Sequence, residues 1–115
     1  MNKFLRSFRY AFDGLIYAFK TQLNFKIHCL AAVLVVVFGL CVKLSLTDWL
    51  WIFFAIGLVM IMELLNTAIE VLVDLVSPEK QRKAGAIKDL SAASVLVSSI
   101  VALAIGLCIF VPKFI

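Results

Sequence analysis

Polar residues gather at a few places along this chain and are nearly absent between them. Residues 3–20 follow the 3.6-residue rhythm of an amphipathic helix. Phe4, Leu5, Phe8, Phe12, Leu15, Ile16 and Phe19 fall on one arc, with Arg6, Arg9, Tyr10, Asp13, Tyr17 and Lys20 opposite. A polar connection from Thr21 to His28 leads into three almost wholly apolar runs, about 27–46, 49–75 and 90–111. A run of about 20 apolar residues crosses a hydrocarbon layer about 30 Å thick. The pattern predicts an all-α integral membrane protein, with three spans behind a helix that lies in the interface, aromatic side down and cations up. As an anchor that helix needs nothing more; the sharper reading makes Arg6, Arg9 and Tyr10 line a site above the membrane.

Turn chemistry sets the connections. The segment from Lys43 to Asp48 is short, so the first two spans are antiparallel neighbours. Thr47 or Asp48 is expected to cap the second span, with Trp49 and Trp51 as its aromatic belt. Ser77-Pro78 ends that span, because the residue before proline is pushed out of the α region. Residues 78–87 read as a basic loop containing Gly85. Lys88-Asp89 then opens the third span, where Ser91, Ala92, Ala93 and Ser94 permit close helix approach.

Composition narrows the class. The 115 residues are 64% hydrophobic, with mean hydropathy +1.11, against roughly 45–50% apolar in soluble domains. A water-soluble globule is excluded. The net charge of +4 does not point to nucleic acid, because the cations flank the spans. Of the 11 Lys and Arg, nine (Lys3, Arg6, Arg9, Lys20, Lys26, Lys80, Arg82, Lys83, Lys88) fall on one side and Lys43 and Lys113 on the other. That bias predicts a cytoplasmic N-terminus and second loop, with the first loop and C-terminus outside. No cleavable signal peptide is expected. Cys29, Cys41 and Cys108 lie in the spans without metal-type spacing and read as packing residues. One domain covers 1–115, and so small a chain is expected to oligomerise to enclose a large site.

One stretch breaks the apolar rule: Glu63, Asn66, Glu70 and Asp74. At 100° per residue, Glu63, Glu70 and Asp74 lie within about 40° of one another, with Asn66 about 60° to one side. If Trp49 marks one boundary, Glu63 sits roughly 9 Å inside the opposite hydrocarbon edge, Glu70 at that edge and Asp74 beyond it. Helix–helix hydrogen bonding needs one such residue rather than a carboxylate stripe that ends at a basic loop. Carboxylates facing lysine suit a divalent cation and a polyphosphate, since Mg²⁺ is held by one or two carboxylates plus substrate phosphates. Lys88 can neutralise a phosphoryl group as a point charge. Glu63 can reach a lipid hydroxyl near headgroup level, and its depth makes the charged form costly, as suits a general base. No Walker A motif is present, so metal, cations and helix ends would have to hold a nucleotide.

These residues resemble the prokaryotic diacylglycerol kinase family, which includes the undecaprenol kinases. The match rests on Glu63-x-x-Asn66-Thr67-Ala68-Ile69-Glu70-x-x-x-Asp74, on Ser77-Pro78-Glu79 and on Lys88-Asp89-x-x-Ala92-Ala93. Ser7-Phe8-Arg9-Tyr10-Ala11 and Asn24-Phe25-Lys26-Ile27-His28 extend it, the latter closer to the undecaprenol-kinase branch. The resemblance implies a homotrimer in the bacterial inner membrane, with sites shared between subunits, transferring the γ-phosphoryl of ATP to a membrane lipid alcohol with Mg²⁺. It makes Glu63 the catalytic base, supported by Asn66 and Asp74, and Glu70 the metal and nucleotide ligand. Lys88, Asp89, Tyr10 and Glu79 are placed near the nucleotide. Two positions depart from the family. A second metal-binding Glu is usual where this chain has Gln22, which still offers an oxygen but one negative charge fewer. Lys80-Gln81 stands where a Tyr-His pair is common.

Two other readings compete. A proton-coupled efflux transporter would use Glu63 for proton exchange, but three spans and a basic loop beside the carboxylates weigh against it. A non-catalytic family member is motivated by Gln22.

Overall fold

The computed structural model describes residues 2–115. Asn2 accepts a 2.8 Å hydrogen bond from the Phe4 amide and starts α1, Lys3–Thr21. Its apolar arc stays exposed, Phe4 by 67% and Phe12 by 61%, and only Ala18 is buried. This is the surface an interfacial helix presents to lipid. The chain leaves the helical region at one residue, Gln22, whose φ of −114° and ψ of 109° cap α1 and open α2, Leu23–Val42. Ala18 and Phe25, both deeply buried, pin the corner from either side.

The first span thus begins four residues before the expected 27, and Asn24, Lys26 and His28 ride on α2 instead of in a loop. Nothing from 23 to 28 is a glycine or proline, so the helix continues through its polar start. A three-residue turn, Lys43 to Ser45, leads to α3, Leu46–Val76. The cap is Ser45, neither Thr47 nor Asp48. Its hydroxyl accepts from the Asp48 amide at 3.1 Å, and Asp48 reaches back to the Ser45 amide at 3.4 Å. Asp48 is therefore the third residue of a capping box. At the other end the Ser77 amide bonds the Val73 carbonyl at 2.8 Å and Pro78 follows, so α3 stops where expected.

The basic segment is shorter than its charge pattern implies. Helix α4, Arg82–Phe110, starts eight residues before 90, then tightens into a 3₁₀ turn, Val111–Lys113. Arg82, Lys83, Gly85 and Lys88 belong to its exposed first turns, where polarity marks the helix's exit from the apolar layer and not its end.

The three long helices are each apolar and long enough to cross a membrane. They lie side by side in a slab 52 × 42 × 20 Å, with α3 central, packed most extensively on α4, then α2, and lightly on α1. The buried stripe of α3 is Ile52, Ala55, Val59, Glu63, Asn66, Thr67 and Val73, a repeat of three and four residues. Its first half is apolar and its second half polar. Large apolar side chains elsewhere on α2, α3 and α4 face outward, as lipid-facing surface does.

Candidate active site

The register of α3 carries three carboxylates outward from the core in sequence. Glu63 is 2% exposed, Glu70 half-buried, and the Asp74 side chain 67% exposed. The Thr67 hydroxyl donates to the Glu63 carbonyl at 3.0 Å, so it satisfies backbone and leaves the carboxylate free. From α2, Nε2 of His28 lies 3.2 Å from Oε1 of Glu63. The separation is close, but the ring is not aligned as a hydrogen-bond donor, and Oε1 is left buried without one.

One turn along, Nδ2 of Asn66 donates to Oε1 of Glu70 at 3.2 Å. That contact fixes the amide and leaves its Oδ1 buried and unpartnered. Across the interface α4 buries Ser91 and Ser98, seven residues apart on one face. Ser98 bonds the Val95 carbonyl at 2.8 Å, while the Ser91 hydroxyl has no partner. Nearer the helix start, Nζ of Lys88 donates to Oδ1 of Asp74 at 2.6 Å. That bond joins the exposed ends of α3 and α4.

Each unpaired buried polar atom costs about 1–3 kcal/mol. Glu63, Asn66 and Ser91 supply the three found among the described residues, all toward one end of the bundle. Such a concentration calls for partners that the single chain does not supply.

The donors that α3 offers a cation are oxygens, Glu70 and Asn66 Oδ1, while Gln22 stands at the α1–α2 corner. This hard set suits Mg²⁺. Among the described residues no cluster of three or more His, Cys, Asp or Glu forms a metal cage. An oxygen set of this kind is chemically compatible with Mg²⁺, which is usually held by one or two carboxylates plus substrate phosphates.

Beside the polar cluster, α2, α3 and α4 enclose an apolar groove of about 550 Å³, lined by Ala32, Val35, Ala55, Val59, Ala102 and Gly106 among others. His28 is the one polar residue on its wall.

The structure brings together Glu63, Asn66 and Glu70 along α3, and Asp74 with Lys88. Tyr10, Gln22, Glu79 and Asp89 form no side-chain hydrogen bond or ion pair with these carboxylates among the described residues. Tyr10 is 66% exposed on α1, Glu79 is exposed in the connection between α3 and α4, and Asp89 is exposed in the second turn of α4. Sequence reasoning placed His28 only in the polar connection and the Asn24–His28 motif, not beside Glu63. It also valued Ser91 for its size alone.

The fold and cluster together define a small multi-pass membrane protein of three apolar helices and an N-terminal helix, with an acid–amide–lysine site at one end. A family model described as prokaryotic diacylglycerol kinase matches residues 9–110. The chain belongs to that family. It is 42% identical over 113 residues to the undecaprenol kinase of Bacillus subtilis strain 168, covering 98% of this chain and 92% of the relative. It is 40% identical over 109 residues to a diacylglycerol kinase of Synechocystis, covering 94% of this chain and 62% of that protein. The diacylglycerol kinase of Escherichia coli K12 is 31% identical over 100 residues, 87% of this chain and 82% of the relative.

Proposed function

We propose that this protein is a membrane lipid kinase that moves the γ-phosphoryl group of ATP onto a lipid alcohol, an undecaprenol-type polyprenol before a diacylglycerol. The observation that carries the reading is the buried Glu63 carboxylate, 3.2 Å from His28 and on one helix face with Glu70 and Asp74. An acid at that depth can meet a hydroxyl at headgroup level, while the acids further along the helix meet a polyphosphate from water.

The lipid oxygen bonds to the γ-phosphorus as the bond from that phosphorus to the β-phosphate oxygen breaks, and ADP leaves with the electron pair. Glu63 takes the hydroxyl proton. Such a transfer needs positioning and charge stabilisation more than covalent work by the protein. Asn66 holds Glu70 in one rotamer, and Glu70 with Gln22 would hold Mg²⁺, which neutralises phosphate charge when bound. Lys88 has three N–H donors; one is spent on Asp74, and the others can reach phosphate oxygens. Tyr10, Glu79 and Asp89 would contact the nucleotide from α1 and the α3–α4 connection.

The groove gives one apolar chain a seat that ends at His28, 3.2 Å from Glu63. The polyprenol preference rests on this seat, on the Asn24–His28 motif and on the 42% identity to an undecaprenol kinase. We place the protein in the bacterial inner membrane with its N-terminus cytoplasmic, following the cation bias, and as a homotrimer whose neighbours complete the exposed side of each site.

The test supplies both lipids at equal concentration in bilayers with Mg²⁺ and γ-labelled ATP. Label predominantly in the polyprenyl phosphate is expected. Label mainly in phosphatidic acid reverses the preference, and no label in either lipid removes the kinase reading. Cross-linking in bilayers that stops at dimers would remove the trimer.

A further inference from the structure

Glu63 poses a problem that its own helix does not solve. At 2% exposure, a carboxyl group that has taken a proton has almost no water to pass it to. Unless that proton leaves, the base works once. Of the groups around it, Glu70 lies two turns along the same helix. The buried polar side chains of α4, Ser91 and Ser98, are uncharged. Among the described residues, α1 sends no charged side chain into an ion pair with Glu63. The remaining titratable neighbour is His28 of α2, at 3.2 Å.

His28 is placed to answer the problem. Its side chain is 26% exposed, so one edge of the ring meets the buried carboxylate while the rest reaches outward. It stands six residues past the corner at Gln22, about 9 Å of helix from the end of the span. It also forms the polar wall of the apolar groove, between the place where a lipid chain would lie and the acid that would receive the lipid's proton. A ring within contact distance of the acid, but not yet aligned, is what a catalytic hydrogen bond looks like before substrate closes the site.

We propose that His28 acts through Glu63 as a positioning residue, its Nε2 lone pair holding the carboxyl group once that has taken a proton and then carrying the proton away. The inference rests on Glu63 being the base of the reading above. In the resting state the neutral ring carries its hydrogen on Nδ1 and turns Nε2 toward Glu63. Once Glu63 has taken the hydroxyl proton, that proton passes from the carboxyl oxygen to the Nε2 lone pair, giving an imidazolium beside a restored carboxylate. The imidazolium ring then turns Nε2 outward, releases that proton to water at the membrane boundary and returns with its Nδ1–H form restored. No other reactant is consumed.

Because His28 is the chain's one histidine, the test is single-site. In the full-length protein labelled with ¹⁵N-histidine in bilayers, the ring signals are followed with pH for wild type, E63Q and D48N. Asp48 lies on the same helix about 22 Å away by its rise. The signals are expected to change in E63Q and to match wild type in D48N. If E63Q leaves them unchanged, the pairing is wrong whatever the protein's activity.

The kinetic arm compares H28Q, whose amide oxygen can accept from the Glu63 carboxyl group but cannot carry its proton away, with H28F, which does neither. H28Q is expected to lower kcat about 10–100-fold with KM for ATP and lipid nearly unchanged, to flatten the pH profile of kcat and to be less impaired than H28F. A wild-type kcat and pH profile in folded H28Q overturn the proposal while leaving the kinase reading intact. If wild type transfers no phosphoryl group while the ring signals respond to E63Q, the kinase reading falls and the proton-carrier role falls with it, leaving a structural pair.

Discussion

The two ends of the helical bundle are made of different material. At the end holding the α2–α3 turn, every device closes the structure. Gly39 lets Leu44 and Trp49 approach so closely that an added Cβ would sit 2.8 and 2.9 Å from their side chains. Phe38 stacks on Phe114 at 5.7 Å and meets Phe110 at 5.1 Å. The Ser45–Asp48 capping box starts α3, and Lys113 reaches Asp48 at 3.4 Å. At the opposite end the same helices bury Glu63, Asn66 and Ser91 with polar atoms unpaired, and their surface charges meet at Asp74 and Lys88. One end is satisfied and tight; the other buries polar groups without partners. Stability and activity should therefore respond to mutation at opposite ends.

The largest expected effect breaks activity alone. E63Q keeps the volume and removes the base, so phosphoryl transfer to lipid should fall about 10²–10⁴-fold. Thermal unfolding in detergent should stay at or above wild type, because a buried carboxylate and its desolvation cost are gone. An E63Q protein that transfers phosphate at the wild-type rate would remove Glu63 from the chemistry. One that unfolds well below wild type would make the pair with His28 a structural device, and the contrast between the ends would fail.

G39A is the mirror experiment. Its methyl group must displace Leu44 or the Trp49 ring, and overpacking of this kind costs about 1–3 kcal/mol. We expect a lower unfolding midpoint with kcat per folded molecule unchanged. An active-site defect without a stability loss would show that the two ends are coupled.

What could be read before any coordinates follows the same division. Glu63, Glu70 and Asp74 stood out because acids inside an apolar run violate a strong rule, and helical geometry alone puts them on one face. The His28 contact spans 35 positions of the chain and depends on how α2 and α3 are rotated against each other, which no local pattern specifies. The start of α4 was placed eight residues late because charge was taken as a sign of loop, although Arg82 to Asp89 contains no proline and a single glycine. The cap of α3 was legible in principle. Ser45-x-x-Asp48 is a capping-box spacing, in which Asp48 fills the third position and Ser45 the cap.

A smaller effect sharpens the polar end. Q22E adds a carboxylate at the α1–α2 corner, where the residue is half-buried between Ala18 and Phe25. If Gln22 shares a cation with Glu70, the added charge should lower the Mg²⁺ concentration for half-maximal activity about three- to tenfold, equivalent to about 0.7–1.4 kcal/mol. N66A should move it the other way, because Glu70 loses the amide that holds its Oε1. Unchanged Mg²⁺ dependence in both variants would separate the corner and Asn66 from the metal.

The smallest effect tests the closed end at its one strained residue. Lys43 ends α2 with φ 53° and ψ 72°, the only positive φ among the described residues other than glycine. A side chain in that region costs about 1 kcal/mol, and glycine removes the penalty. K43G should therefore unfold about 0.5–1 kcal/mol later than K43A, with lipid phosphorylation by the two equal. Comparing glycine with alanine, instead of with lysine, cancels the loss of the positive charge. If K43G is no more stable than K43A, the turn relaxes in solution, and the tightness of this end comes from Gly39, Trp49 and the aromatic contacts rather than from the turn itself.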